Sequence, residues 1–274
     1  MALQQGHERS RAGFLLFVLF LGAVLTMAGG VLLVVFVGPK LSDLAPEVPI
    51  TTQAPKGMFP PHWFDDGGTA TAKPLSEVEA ERAERVIRRA LKKYPPFLLF
   101  TNLDEVHCVS ELKIDGSDYF STNTGEAIYI CSRGPNKDPD AFLARLLHYE
   151  VGAVLLYQAS ASFDQDAWNA ALPPGFSYKT DREVPEAQEG NLDNRDPKWL
   201  SQGFINYSGV WDQEYDFAEI AEGIMTGSQE FYRHVKEHPA LLKKARLAVT
   251  FYRGLGISLP LWEEEMEGKV GPKP

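Results

Sequence analysis

Glu150 is the residue of this chain best placed for acid–base chemistry. It sits among Leu143, Leu146, Leu147, Val151, Val154 and Leu155, which recur at three- and four-residue spacing as one apolar stripe. At about 100° per residue, Glu150 falls in the middle of that stripe. A carboxylate there needs a partner or a raised pKa, because burying an unpaired charge is costly. It is either a general base or a buried acid hydrogen-bonded to backbone or to a nearby Tyr. His148, His107, Asp216, Glu219 and Glu222 are the groups that could join it. A set built on His148 with two of those carboxylates would suit Ca²⁺ or Mn²⁺ better than zinc. His234 and His238 are four residues apart but are followed at once by Pro239, and read as solvated histidines at a helix end. The sequence has no Gly-rich phosphate loop, no Gly-x-Ser-x-Gly elbow and no Cys-x-x-Cys.

The elements that must position these groups follow from period and punctuation. The apolar stripe predicts a helix from Asp138 to Tyr157, with Asp138 as its cap and Pro139 in its first turn. Ser76 and Glu79 form a capping box for a second helix running to Tyr94, and Pro95-Pro96 stops it. Between Phe97 and Cys131 the pattern changes to short apolar or alternating runs, Phe97–Phe100, Val106–Val109, Leu112–Ile114 and Ala127–Cys131. Asn102, Asp115-Gly116 and Asn123-Thr124-Gly125 are the turn signals between them. These predict a small, mostly antiparallel sheet. Cys108 and Cys131 both fall in its strands, and outside the cytoplasm they are disulfide candidates, closing a loop of about 24 residues for roughly 3 kcal/mol. Two buried thiols are the alternative. Further helices are expected at Phe163–Ala171, Glu214–Met225 and Pro239–Tyr252, with a polar stretch at 179–202. Asn206-Tyr207-Ser208 is a glycosylation sequon.

The chain has 274 residues and a net charge of −10. Gly13 to Val37 is a 25-residue run with no charge, about 37 Å long as a helix and enough to cross a bilayer. It is too long for a cleaved signal peptide, so one uncleaved transmembrane signal-anchor is expected. Arg9 and Arg11 precede it, which puts residues 1–12 in the cytoplasm and the C-terminal part outside. Residues 38–74, with six prolines between Pro46 and Pro74, read as a stiffened linker. Within it the aromatic run Met58–Phe64 is expected to dock on the domain. Beyond residue 40 the chain carries 24 basic against 36 acidic residues. Such a surface argues against nucleic acid as a partner.

Seven short stretches in order carry a resemblance. They are Glu111–Gly116, Ala127–Ile130, Leu147–Glu150, Ala167–Asn169 with Pro173–Tyr178, Gly203-Phe204, Asp216–Glu219, and Phe251–Ile257. Together they resemble a family of zinc-binding metallopeptidases of the gluzincin type, similar in fold to the catalytic domain of anthrax lethal factor, over about residues 75–260. Active members supply two histidines and a general-base Glu from His-Glu-x-x-His, and a third ligand from a later acidic helix. The matching positions here are Tyr149, Ala153 and Tyr215 for the ligands and Glu150 for the base, with Asp216 and Glu219 beside the third ligand. A zinc site needs about three protein ligands, so the metal ligands are replaced.

The resemblance implies an α+β, zincin-like domain over residues 75–274, with an active-site-type helix and one transmembrane helix before it. Joined to the transmembrane run and its flanking charges, it implies a membrane-anchored, single-pass, extracytoplasmic pseudoenzyme acting as a binding or scaffolding module, with no cofactor. The implied partners are the membrane, through the N-terminal helix, and a peptide or protein ligand. The other expectation is an active metallopeptidase or hydrolase with a rearranged metal site on His148, Glu150, Asp216 and Glu219; only then would zinc be the cofactor. Tyr149 and Tyr215 are expected to fill the old metal cavity, with a phenol hydrogen-bonded to Glu150.

Overall fold

The computed structural model describes residues 45–178 and 197–268. The expected membrane-spanning run 13–37 lies outside them, and no helix among the described residues is long and apolar enough to cross a membrane.

The domain is α+β. One sheet has the order β1-β3-β7-β6, from Ile50–Thr51, Glu105–Val109, Ala127–Cys131 and Ser121–Asn123. A second has the order β2-β4-β5, from Ala70–Lys73, Glu111–Ile114 and Ser117–Asp118. The larger sheet corrects the antiparallel expectation. β1 and β7 both run parallel to β3, and only the edge strand β6 is antiparallel, so the architecture is mixed. The reason is visible in the residues. From their second residue on, β3 and β7 are buried at every position, the near-continuous apolar character of strands covered on both faces.

The parallel register also removes the disulfide. Cys108 lies opposite Ile130, and Val109 lies opposite Cys131. Neighbours along a strand point to opposite faces. Cys108 therefore joins the core with Val106, Ile128 and Ile130, and Cys131 joins Val109, Tyr129 and Phe59 on the other side. Both thiols are free and buried, and burial pushes them up, to about 12 for Cys108 and about 11 for Cys131.

Two further expectations change. Phe97–Phe100 belongs to a helix, not a strand. Pro95 and Pro96 stand at the N-cap and first turn of α2 (Pro96–Asn102), where the fixed φ of proline favours a helix start. The residues from 50 to 73, read as linker, carry β1 and β2, and are part of the domain. The aromatic run docks as expected. Phe59 and Trp63 pack on Tyr129, whose hydroxyl donates to the Met58 carbonyl at 2.6 Å.

Helix α1 (Glu77–Leu91) begins at Ser76, which accepts the Glu79 N–H. The Glu79 carboxylate does not return to Ser76, and instead binds Arg82 and Ser132. Helix α3 (Asp140–Gln158) runs through the centre of the molecule. Its N-cap is Pro139. Asp138, expected to cap it, is buried and holds the Arg133 backbone N–H and guanidinium instead. After the short helices α4 (Gln165–Asn169) and α5 (Pro197–Leu200), α6 (Gln213–Thr226) packs along α3. The two backbones meet at Gly152, where a Cβ would stand 2.8 Å from the Ala221 Cβ. Helices α7 (Gln229–Glu237), α8 (Pro239–Gly254) and α9 (Pro260–Glu267) complete the helical side.

Candidate functional site

Edge strand β6, the middle of α3 and the face of α6 toward α3 enclose a cleft of about 710 Å³. Glu150 faces it from α3, and Asp212, Glu214, Glu219 and Glu222 face it from α6 and its N-cap. The Asn123 side-chain amide, at the end of β6, donates to Glu150 Oε2 at 2.8 Å and to Glu214 Oε1 at 3.2 Å, so one neutral group bridges two acids. Its own carbonyl accepts the Gly125 N–H at 2.9 Å, which fixes the amide's orientation. Burial pushes Glu150 up to about 7, against the hydrogen bonds from Ser121 and Asn123, and the nearby Glu214 raises it further. Glu214 is itself raised, chiefly by burial.

Glu219 is held in the same way. Its carboxylate accepts the Asn206 N–H at 3.1 Å and the Ser208 hydroxyl. Burial pushes it up to about 7, these donors lower it, and Asp216 raises it. Asn206 is buried within this contact, so the sequon supplies a wall of the cleft. At the other end Arg145 binds Glu222 through Nε at 3.1 Å. The cleft thus holds four acids whose described hydrogen-bond partners are neutral donors, Glu150, Asp212, Glu214 and Glu219, and a fifth, Glu222, paired with a cation.

Tyr149, Ala153 and Tyr215, the positions expected to correspond to zinc ligands, do not fit a zinc ion. Ala153 offers no donor and is buried. Tyr149 and Tyr215 line the cleft with ring centroids 6.5 Å apart. Burial, first, and the neighbouring Glu219 hold the Tyr149 phenol well above its usual range, and burial pushes Tyr215 up to about 12, so both are protonated phenols. They border the cavity without filling it, and the partners of Glu150 are Asn123 and Ser121 in place of the expected phenol.

The rearranged metal site is taken apart by the fold. His148 points away from the cleft, where its Nδ1 shares a hydrogen bond with the Tyr94 hydroxyl at 2.8 Å. Burial, with Lys93 nearby, lowers it to about 3, so it is neutral. Asp216 lies beneath the cleft, 2.6 Å from the Lys244 Nζ and accepting the Tyr178 hydroxyl at 2.6 Å. His107 stacks on Tyr129 beside Glu105. Of the expected alternative ligands His148, Asp216 and Glu219, only Glu219 reaches the cleft. Among the described residues the cleft acids form no group of three ligand atoms within reach of one ion.

Comparison of the chain with models of known families, with curated proteins and with solved structures returns no match. Its reading rests on the geometry. Asn123, Ser208 and Arg145 were not foreseen as site residues. Asn123 belongs to an Asn-Thr-Gly turn signal, and nothing in its type distinguishes a turn former from a donor to Glu150.

Proposed function

We propose that this chain is a membrane-anchored protein whose extracytoplasmic domain is zincin-like but catalytically inactive, and that its cleft binds peptides carrying Lys or Arg. The charge-free run 13–37 supports the anchor, and the order of elements supports the zincin-like fold: a mixed sheet with an antiparallel edge strand, then the helix bearing Glu150, then an acidic helix facing it. The replacements at 149, 153 and 215 support inactivity. Without metal ligands nothing lowers the pKa of a bound water toward 7, and Glu150 alone makes no effective hydroxide.

The observation that carries the binding role is the state of Glu150. It is buried at an open cleft between an edge strand and α6, beside Glu214 and Glu219, and its described partners are neutral donors. A cationic side chain entering the cleft supplies the missing charge and draws these carboxyls into their ionised form. The edge strand β6 offers main-chain groups to an extended peptide alongside.

The test is fluorescence anisotropy with the full chain in detergent micelles. Short extended peptides containing Arg or Lys should bind, their Glu-containing counterparts should not, and Glu150→Gln with Glu219→Gln should weaken binding about tenfold or more. Chelation by EDTA should change nothing, and the peptides should stay uncut. Equal binding of acidic and basic peptides, or cleavage that EDTA stops, would sink the proposal.

A further inference from the structure

His234, Glu237 and His238 bring three ligand atoms within 4.8 Å of one another, at the elbow where α7 ends and α8 begins. We propose that this elbow is a binding site for a late divalent transition metal such as Zn²⁺, separate from the cleft. Two imidazoles with one carboxylate are a donor set suited to Zn²⁺, Co²⁺, Ni²⁺ or Cu²⁺, and poorly suited to Mg²⁺ or Ca²⁺.

The local geometry positions each donor. His234 is buried in the last turn of α7, and its Nδ1 faces Glu237 Oε2 at 4.0 Å. The opposite ring nitrogen, Nε2, faces Glu230 Oε1 at 3.6 Å. Glu230 is near Nε2 without a hydrogen bond to it, and Nδ1 is the ring nitrogen turned toward Glu237. Arg233 also approaches Nε2, at 3.5 Å, but its exposed side chain reaches Glu230 as well, at 3.8 Å. His238 is the residue between the helices. Its extended backbone (φ −119°, ψ 103°) breaks the helical course, and its ring stacks on that of His234 with centroids 6.2 Å apart. Pro239 at the start of α8 fixes the elbow. The site also sits at the C-terminal end of α7, where the helix dipole favours a cation. Three protein ligands leave a fourth position for water, and the ion would staple α7 to α8.

The experiment is calorimetric titration of the full chain in detergent micelles with ZnCl₂, with Co²⁺ absorption as a second readout of coordination. One equivalent of zinc should bind. Glu237→Gln and His238→Gln should each weaken it by more than the roughly 10–100-fold that loss of an outer-shell partner costs. Glu237 is exposed, so its replacement leaves the fold intact, and a thermal melt checks this. The double variant Glu150→Gln/Glu219→Gln should bind zinc as the wild type does. No stoichiometric binding, binding indifferent to Glu237→Gln and His238→Gln, or binding lost in the cleft double variant would overturn the site.

Discussion

Asp216 and Glu219 stand three residues apart on one helix, both buried, and the protein treats them in opposite ways. Asp216 has its own cation. Lys244 Nζ lies 2.6 Å away, also donates to the Gly203 carbonyl at 2.9 Å, and rests over the Phe204 ring at 3.7 Å. Burial pushes Asp216 up, and the ammonium and the Tyr178 hydroxyl pull it back. Glu219, like Glu150 across the cleft, is hydrogen-bonded to neutral donors, and the Lys244 ammonium reaches it only through the longer-range field. A buried acid with an internal counter-charge is scaffolding, its charge balanced within the fold. A buried acid with neutral partners at the wall of a cleft is a standing energetic cost that a ligand can relieve.

The largest effect should come from breaking the completed pair. Lys244→Met leaves Asp216 buried without its cation and should cost about 3–5 kcal/mol by chemical denaturation. Adding Asp216→Asn should restore much of the loss. Equal damage from the double and single variants would mean that the pair does not act as a unit.

Removing a cleft acid should do the reverse, in a pH-dependent way. The Glu150 carboxyl is raised from its ordinary value of 4.5 to about 7, so between those pH values the folded chain holds more protons than the unfolded one. Its contribution to stability is present at low pH and is lost as pH rises through 7, by up to about 1.4 kcal/mol per pH unit. His148, lowered to about 3, acts in the opposite sense and loses its contribution as pH falls from 6.5 toward 3. Comparing wild type with Glu150→Gln cancels His148. The variant should match wild type near pH 5 and exceed it above pH 7 by on the order of 3 kcal/mol. A constant difference across that range would refute the raised carboxyl.

Arg145 with Glu222 is the intermediate case, a cation supplied inside the cleft itself. Arg145→Gln should cost about 1 kcal/mol of stability, between the surface and buried values for an ion pair. It should strengthen binding of Arg-containing peptides severalfold, because a competing internal cation is gone. Weaker peptide binding would assign Arg145 to ligand contact.

Much of this scaffold is legible in the sequence. The stripe from Leu143 to Leu155 yields α3, and the place of Glu150 within it yields a buried carboxylate needing partners. The register of the sheet is not legible, because two five-residue apolar runs look alike whether they pair parallel or antiparallel; that register alone decides the fate of Cys108 and Cys131. Phe97–Phe100 shows the same limit, since four apolar residues carry no period to separate helix from strand. The division between Asp216 and Glu219 depends on Lys244, 28 residues further on, and on which side of α6 meets α8. The side chain of His148 turns toward Tyr94, so its nearness in sequence to Glu150 places it on the wrong side of α3.

The most direct measurement is the carboxyl titration of Glu150, followed by carbon NMR in the full chain with and without a saturating Arg-containing peptide. Free, it should titrate near pH 7, and with peptide bound its midpoint should fall toward the ordinary carboxylate range as the ligand supplies the counter-charge. A free midpoint already in the ordinary range, or one that the peptide leaves unmoved, would contradict the account of the cleft.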